Sequence, residues 1–379
     1  MNIVYDEIIN NKPIPNGLYN KSLINTYLKN RFKYEYYFPL SISTALEHVS
    51  FKKTSDAEKG IFPICVKEPN IINNYFLRSV FDFGIKKHTL KKLINGAFTL
   101  VFLLDEEPNN TEQVEIIYKF CKEKKIKNFY IYVNIMPILT GQEKIHRVRY
   151  AFRFYRLVIK DITQYSQPDK IDYDEEYTFN VFGRFYHNYD FRAAFIYALL
   201  KNNLHKTNLI SYNKDRPIIR NFTRESKSIK KICNEIDESN FKKTLNFISV
   251  KSVKSTKLSL VIEAYFDNYS TERVYLTEKT FRPIYHKKPF LLLGQKHSLR
   301  ELRNRGFKTF NHVLDEEYDD MENDLRFLSL LKQTNNINKY SKKHLNQVID
   351  DCKNTVDYNY NHMIKYIKSE IDLLSKPGD

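Results

Sequence analysis

Two hydrophobic periods alternate along this chain. Gly60 to Val66 places apolar side chains at Ile61, Phe62, Ile64 and Val66, which predicts a strand. Ala97 to Leu104 is almost continuously apolar, as expected of a strand buried on both faces. Thr111 to Lys124 changes to a helical period, with Val114, Ile117, Tyr118 and Cys121 on one face and Thr111-Glu112 as a start. Phe129 to Ile135 returns to a strand. Strand, helix and strand at this spacing predict parallel pairing through right-handed crossovers.

A polar, acidic stretch from Thr163 to Glu176, containing Gln167-Pro168-Asp169, predicts a linker, and a second alternating set follows. Tyr177 to Phe182 reads as a strand, Phe191 to Lys201 as a helix, and Leu258 to Phe266 as a strongly apolar strand. Val274 to Gly294 reads as an apolar lead, a helix beginning near Glu278 and a buried strand from Pro289 to Leu293. His297 to Arg305 is a further helix, with Gly306 as its C-cap. From Ser341 to Leu374, apolar residues including Leu345, Val348, Cys352, Val356, Met363 and Ile367 recur every three or four positions, predicting one or two long helices. At 379 residues the chain is long for one core. The pattern predicts two α/β domains over 1–170 and 171–335, with helices over 336–379 packing on them.

The densest chemistry lies in Thr277-Glu278-Lys279, followed by Arg282-Pro283. A helix beginning at the carboxyl end of a parallel strand presents free N–H groups and the positive end of its dipole, which favours anions. A carboxylate beside cations there can hold ribose hydroxyls and a diphosphate, so a nucleotide-sugar site is the leading expectation. Glu278 and Lys279 also fit an ordinary exposed first turn; the flanking strands and Arg282-Pro283 favour the site. Arg282 fits the same pocket or a salt bridge. Glu263 interrupts Val261-Ile-Glu-Ala-Tyr265, and so faces either a cleft or a solvated side. Tyr265 and Asn268 are candidates for base or ribose contacts. Asp105, Glu106 and Glu107 directly follow the Ala97–Leu104 strand, at the end where open α/β sheets bind ligands, but they also fit a solvated turn.

The segment Val274 to Gly294, with its Glu-Lys pair and the later Lys288-Pro-Phe-Leu-Leu-Leu-Gly294, resembles the donor-binding signature of the α-1,3-fucosyltransferase-like glycosyltransferases, especially the viral and phage type carrying Thr-Glu-Lys-Thr-Phe-Arg-Pro. Asn188-Tyr-Asp-Phe-Arg192 and the later Ser211-Tyr212 are similar to the family's segment with a phosphate-binding Arg. Leu104-Asp-Glu106-Glu107-Pro108 is similar to its acidic Glu-Ser-Pro segment. The resemblance spans roughly residues 100–310. It implies two Rossmann-like doubly wound domains facing a cleft, the GT-B arrangement, and an inverting transfer from a nucleotide sugar, with GDP as the suggested nucleotide. It supports Lys279 and Arg192 on the diphosphate, Glu278 on the ribose, an acidic residue at Glu263, and Glu106 as general base with Glu107 second; Thr277, Tyr265 and Arg282 are further donor-site candidates from the residues themselves. His187 is a further base candidate.

Composition changes the picture modestly. The net charge of +16 favours anionic partners, though a Lys-, Asn- and Ile-rich composition with only nine glycines also fits AT-rich coding. The resemblance implies a glycan hydroxyl as acceptor; the charge suits a modified DNA base as the alternative, and a non-catalytic nucleic-acid-binding or virion protein is the third reading. Four scattered cysteines form neither a zinc spacing nor a disulfide framework. No membrane-length apolar run and no leader pattern are read, so a cytoplasmic protein is expected. Asp172-Tyr-Asp174 matches a metal-holding Asp-x-Asp, but it lies in the linker without a preceding strand, so neither metal nor other cofactor is expected.

Overall fold

The computed structural model describes residues 2–5, 50–66, 72–104, 111–133, 139–150, 177–184, 190–213, 227–245, 253, 255–267 and 274–375. Chain contacts divide it into two compact units, Met1–Ile159 with Ile364–Asp379, and Lys160–Met363. The predicted linker and Asp172-Tyr-Asp174 fall outside the described residues. Among the described residues, no helix is long and apolar enough to cross a membrane.

Among the described residues, the first unit is built on six parallel strands: β1 (Asn2–Tyr5), β2 (Ser50–Lys53), β3 (Gly60–Val66), β4 (Phe98–Leu104), β5 (Phe129–Val133) and β6 (Val148–Tyr150), in the order β2-β1-β3-β4-β5-β6. β4 is central, and Phe98, Leu100, Val101, Phe102 and Leu104 are all buried, as its unbroken apolar run predicts. Its register with β3 runs from Gly60↔Phe98 to Val66↔Leu104. Helices α1 (Asn74–Ser79), α2 (Lys87–Ile94), α3 (Thr111–Glu123) and α4 (Gln142–Arg147) lie between the later strands. α3 buries Val114, Ile117, Tyr118 and Cys121, the face its sequence marks.

Among the described residues, the second unit carries four parallel strands: β7 (Tyr177–Arg184), β8 (Leu209–Asn213), β9 (Thr256–Ile262) and β10 (Phe290–Leu293), in the order β10-β9-β7-β8. Helices α5 (Asp190–Lys201), α6 (Lys227–Asn234), α7 (Glu278–Tyr285), α8 (Ser298–Asn304) and α9 (Asn323–Ile337) follow, and α10 (Lys342–Ser375) begins in this unit, its residues from Ile364 onward being assigned to the first. The predicted C-terminal helical region is one helix of 34 residues. Gly306 has φ +83°, the left-handed C-cap geometry expected after α8.

Both sheets share one topology. Counted from its first strand, each runs 2-1-3-4, continued by two more strands in the first unit. This is the doubly wound plan, in which the chain steps to one side and returns to build outward on the other. In the second unit the reversal falls between β7 and β9. Right-handed crossovers in opposite directions put α5, after β7, and α7, after β9, on opposite faces of the sheet.

β9 ends four residues earlier than its hydrophobic run suggests, at Ile262 rather than Phe266. The cause is local. Glu263 N–H still donates to Leu293 O at 2.8 Å, but Ala264 N–H donates to Glu263 Oε2 at 3.0 Å and leaves the ladder. Beyond the turn, Arg326 of α9 fixes the chain. It is 0% exposed, and its Nη2 donates to Phe266 O at 2.7 Å with the guanidinium over the Phe266 ring at 4.4 Å. Burial lowers its pKa to about 10, against the opposing pull of Asp319, Glu322 and Asp267. Arg326→Met therefore leaves the Phe266 carbonyl buried without this donor. The expected loss is about 1–3 kcal/mol, read as a lower midpoint in equilibrium urea unfolding.

Candidate functional site

The carboxyl ends of β7 and β9 flank the point where strand order reverses, the place where open α/β sheets bind ligands. The sequence supplies polar groups there because each strand's apolar run stops and a helix must begin. α7 starts at Thr277, whose extended backbone (φ −105°, ψ −176°) and side chain form an N-cap: Lys279 N–H donates to Thr277 Oγ1 at 3.3 Å. The helix is short. Pro283 donates no hydrogen bond, and Lys287 takes a left-handed φ of 53°. Lys288 N–H then donates to Pro283 O at 2.8 Å and Lys287 N–H to Ile284 O at 3.1 Å, which closes the end as a Schellman motif.

Glu263 lies beneath this start and is 0% exposed, so it faces neither a cleft nor a solvated side. Its Oε1 accepts from Thr277 N–H at 2.9 Å and from the Thr280 hydroxyl. Its Oε2 accepts from the Thr277 hydroxyl at 2.6 Å and from Ala264 N–H. All four partners are donors, which an acceptor-only carboxylate satisfies and burial demands. Arg192 of α5, also buried, grips the main chain of the same residue: Nε and Nη2 donate to Glu263 O at 2.8 and 2.7 Å. Thr280 was not singled out by sequence reasoning. The spacing Thr277-x-x-Thr280 after a lone Glu in an apolar strand was the available signal.

Lys279 and Glu278 stand at the mouth of the helix start. Lys279 Nζ donates to Glu278 Oε1 and to Thr277 Oγ1, each at 3.2 Å. About a quarter of each side chain is exposed, 26% and 25%. Protein atoms nonetheless crowd the ammonium. Desolvation lowers its pKa, Arg192 pushes the same way, and Glu278 and Glu263 oppose. One turn on, Arg282 stacks over the Phe182 ring at 4.7 Å, a cation–π contact from α7 to β7. Lys279, Arg282 and Pro283 of α7 also line a small open pocket whose other walls are Asn180 and Phe182 of β7 and Ser259 to Ile262 of β9. Asn180 is buried in the pocket wall and donates to Thr256 Oγ1 at 2.6 Å and Ser259 Oγ at 3.1 Å, so this polar group between strands is satisfied internally.

The expected donor residues therefore divide. Arg192, Glu263, Thr277, Glu278 and Lys279 converge at the reversal point, and Arg282 lines the adjoining pocket. Tyr265 packs edge-on against Tyr275, ring centroids 5.5 Å apart. Asp105, Glu106, Glu107, His187 and Asn268 lie outside the described residues. Gly294, closing the β10 motif, has a steric role: a Cβ there would sit 2.7 Å from Ser298 Oγ and 3.5 Å from Glu263 Cβ. Among the described residues no group of three or more His, Cys, Asp or Glu is arranged to hold a metal ion.

No protein-family model matches the chain, and no curated protein matches its sequence. Among solved structures, an alpha1,3-fucosyltransferase is similar with a TM-score of 0.39 and 10% identity, over 92% of this chain and 80% of that one. The N-terminal domain of Candida albicans trehalose-6-phosphate phosphatase is similar with a TM-score of 0.35 and 11% identity, over 95% of this chain and 77% of that one. At such similarity neither protein's activity transfers to this chain.

The lowered Lys279 pKa has a signed consequence. Between that pKa and the ordinary lysine value of 10.5, the unfolded chain holds a proton that the folded one has released. Stability rises with pH wherever the unfolded state binds more protons. Wild type should thus gain stability relative to Lys279→Met as pH rises through this alkaline window, measured by paired urea unfolding curves.

Proposed function

We propose that this chain is a glycosyltransferase that takes its sugar from a nucleoside-diphosphate donor bound by the second unit. The observation that carries the proposal is the convergence of Lys279, Arg192 and the first turn of α7 at the reversal between β7 and β9, beside an open pocket. Such a reversal point is a ligand crevice by topology, independent of any motif. The positive charge of Lys279 at the mouth of the helix start, with the buried Arg192 behind it, suits the place to an anion.

In the proposed reaction, an acceptor hydroxyl attacks the anomeric carbon as the bond to the diphosphate oxygen breaks. The leaving diphosphate takes the bonding electrons. Lys279 meets the charge that develops there, a contact worth more in the transition state than in the ground state. The hydroxyl proton passes to a carboxylate, for which Glu106 is the first candidate and Glu107 the second. Charge compensation comes from the protein, so the proposal includes no metal. The full reading is a GT-B arrangement in which the first unit supplies acceptor and base, with inversion at the anomeric carbon and a glycan hydroxyl as acceptor. The protein's +16 charge also suits DNA phosphates, so DNA bearing a hydroxylated base is the second acceptor to test.

The test is thermal unfolding with GDP, UDP, ADP and CMP and their sugars, with and without EDTA, on wild type and Lys279→Ala. A ligand that binds only the folded state must raise the melting temperature. One nucleoside diphosphate should do so in wild type regardless of EDTA, and fail in Lys279→Ala. With the matching sugar donor, that variant should lose roughly 100-fold or more in kcat. No shift with any nucleotide in wild type would overturn the donor-site reading.

A further inference from the structure

We infer that Glu263 is a positioning residue, a single buried hub that aims both cationic groups of the donor site, and that it does not itself touch the donor. The inference rests on the nucleotide-binding reading above. Its carboxylate fixes the start of α7 through Thr277 and Thr280, which sets where Lys279 emerges. Its main-chain carbonyl fixes the Arg192 guanidinium through two hydrogen bonds. One residue at the end of β9 thus sets the geometry of side chains on helices that lie on opposite faces of the sheet.

The chemistry of the hub is selective for a carboxylate. Each oxygen accepts one backbone N–H, Oε1 from Thr277 and Oε2 from Ala264. Backbone donors cannot reverse, whereas the two threonine hydroxyls can rotate. A glutamine at this position must therefore turn its NH₂ toward a backbone N–H in either amide orientation. Two donors then face each other in a site that is 0% exposed, and the helix start has to shift. Asp falls short by one methylene.

The hub also acts on Lys279 through charge. Glu263 and Glu278 hold the Lys279 ammonium in its protonated form against desolvation and Arg192. Removing the Glu263 charge should move the alkaline limb of nucleotide binding to lower pH, a change that loose packing alone does not produce.

The experiment compares wild type, Glu263→Gln and Thr280→Val, using the nucleoside diphosphate that shifts wild type in the thermal screen. Dissociation constants are measured by calorimetry across the alkaline range, with circular dichroism as the folding check. Folded Glu263→Gln should bind about tenfold or more weakly, with its alkaline limb at lower pH than wild type. Thr280→Val keeps the charge and three of the four carboxylate contacts. It should show a smaller loss of affinity with the alkaline limb unmoved. Wild-type binding matched by folded Glu263→Gln, with the same pH profile, would overturn the hub while leaving the donor site standing. Absence of binding in wild type would overturn both. Should Glu263→Gln fail to fold, Thr280→Val decides: affinity equal to wild type overturns the hub.

Discussion

A buried carboxylate with four donors on it organises the second unit. Water cannot solvate Glu263, so protein donors must, and every donor within reach belongs to the start of the next helix or to the turn itself. The strand end, the turn at Ala264 and the first turn of α7 therefore form together. A charged group in an apolar strand would otherwise oppose folding. Placed one residue beyond the last ladder position of β9, it becomes the reason the helix starts at Thr277 and not elsewhere.

A second acidic residue repeats the device one element later. α8 has His297 at its N-cap position, in a left-handed conformation and with no side-chain cap. Asp319, from a short 3-10 turn over Glu317–Asp320, supplies the cap instead, accepting from Leu299 and Arg300 N–H at 3.0 Å each. Burial raises the Asp319 pKa while those backbone donors and Arg303 pull it down. At α8 a carboxylate from elsewhere in the chain does what a local cap does in an isolated helix, while at α7 Thr277 is the local cap and Glu263 holds that cap residue in place. The result is a sheet edge whose helix starts are held by buried carboxylates.

Parallel sheets explain why chemistry gathers at that edge. Strands such as β10, with Phe290 to Leu293 all buried, leave no solvated face for polar side chains. Functional groups are confined to strand ends and helix starts. Since both units use the same 2-1-3-4 order, each has one point where neighbouring connections diverge. In the second unit, that point collects Arg192 from the helix after β7 and Lys279 from the helix after β9.

What the sequence determined by itself was local. The runs at Gly60–Val66 and Ala97–Leu104, the helical face of Thr111 to Lys124 and the cap at Gly306 follow from side-chain period and backbone preference, and the structure carries all of them. Glu278-Lys279 was also legible as a helix start after an apolar lead. The exact end of β9 was not, because apolar content continues past Ile262 while the turn is made by a side chain's hydrogen bond. Strand order was not legible either, since an apolar run does not say which neighbour it pairs with. Nor was the role of Glu263. Its partners lie 14 and 17 residues away on α7 and 71 residues away on α5, and pattern carries no information at those separations. Only packing three elements against one strand end decided that this carboxylate faces inward, because burial leaves an ionised group no option but the donors that tertiary structure brings to it.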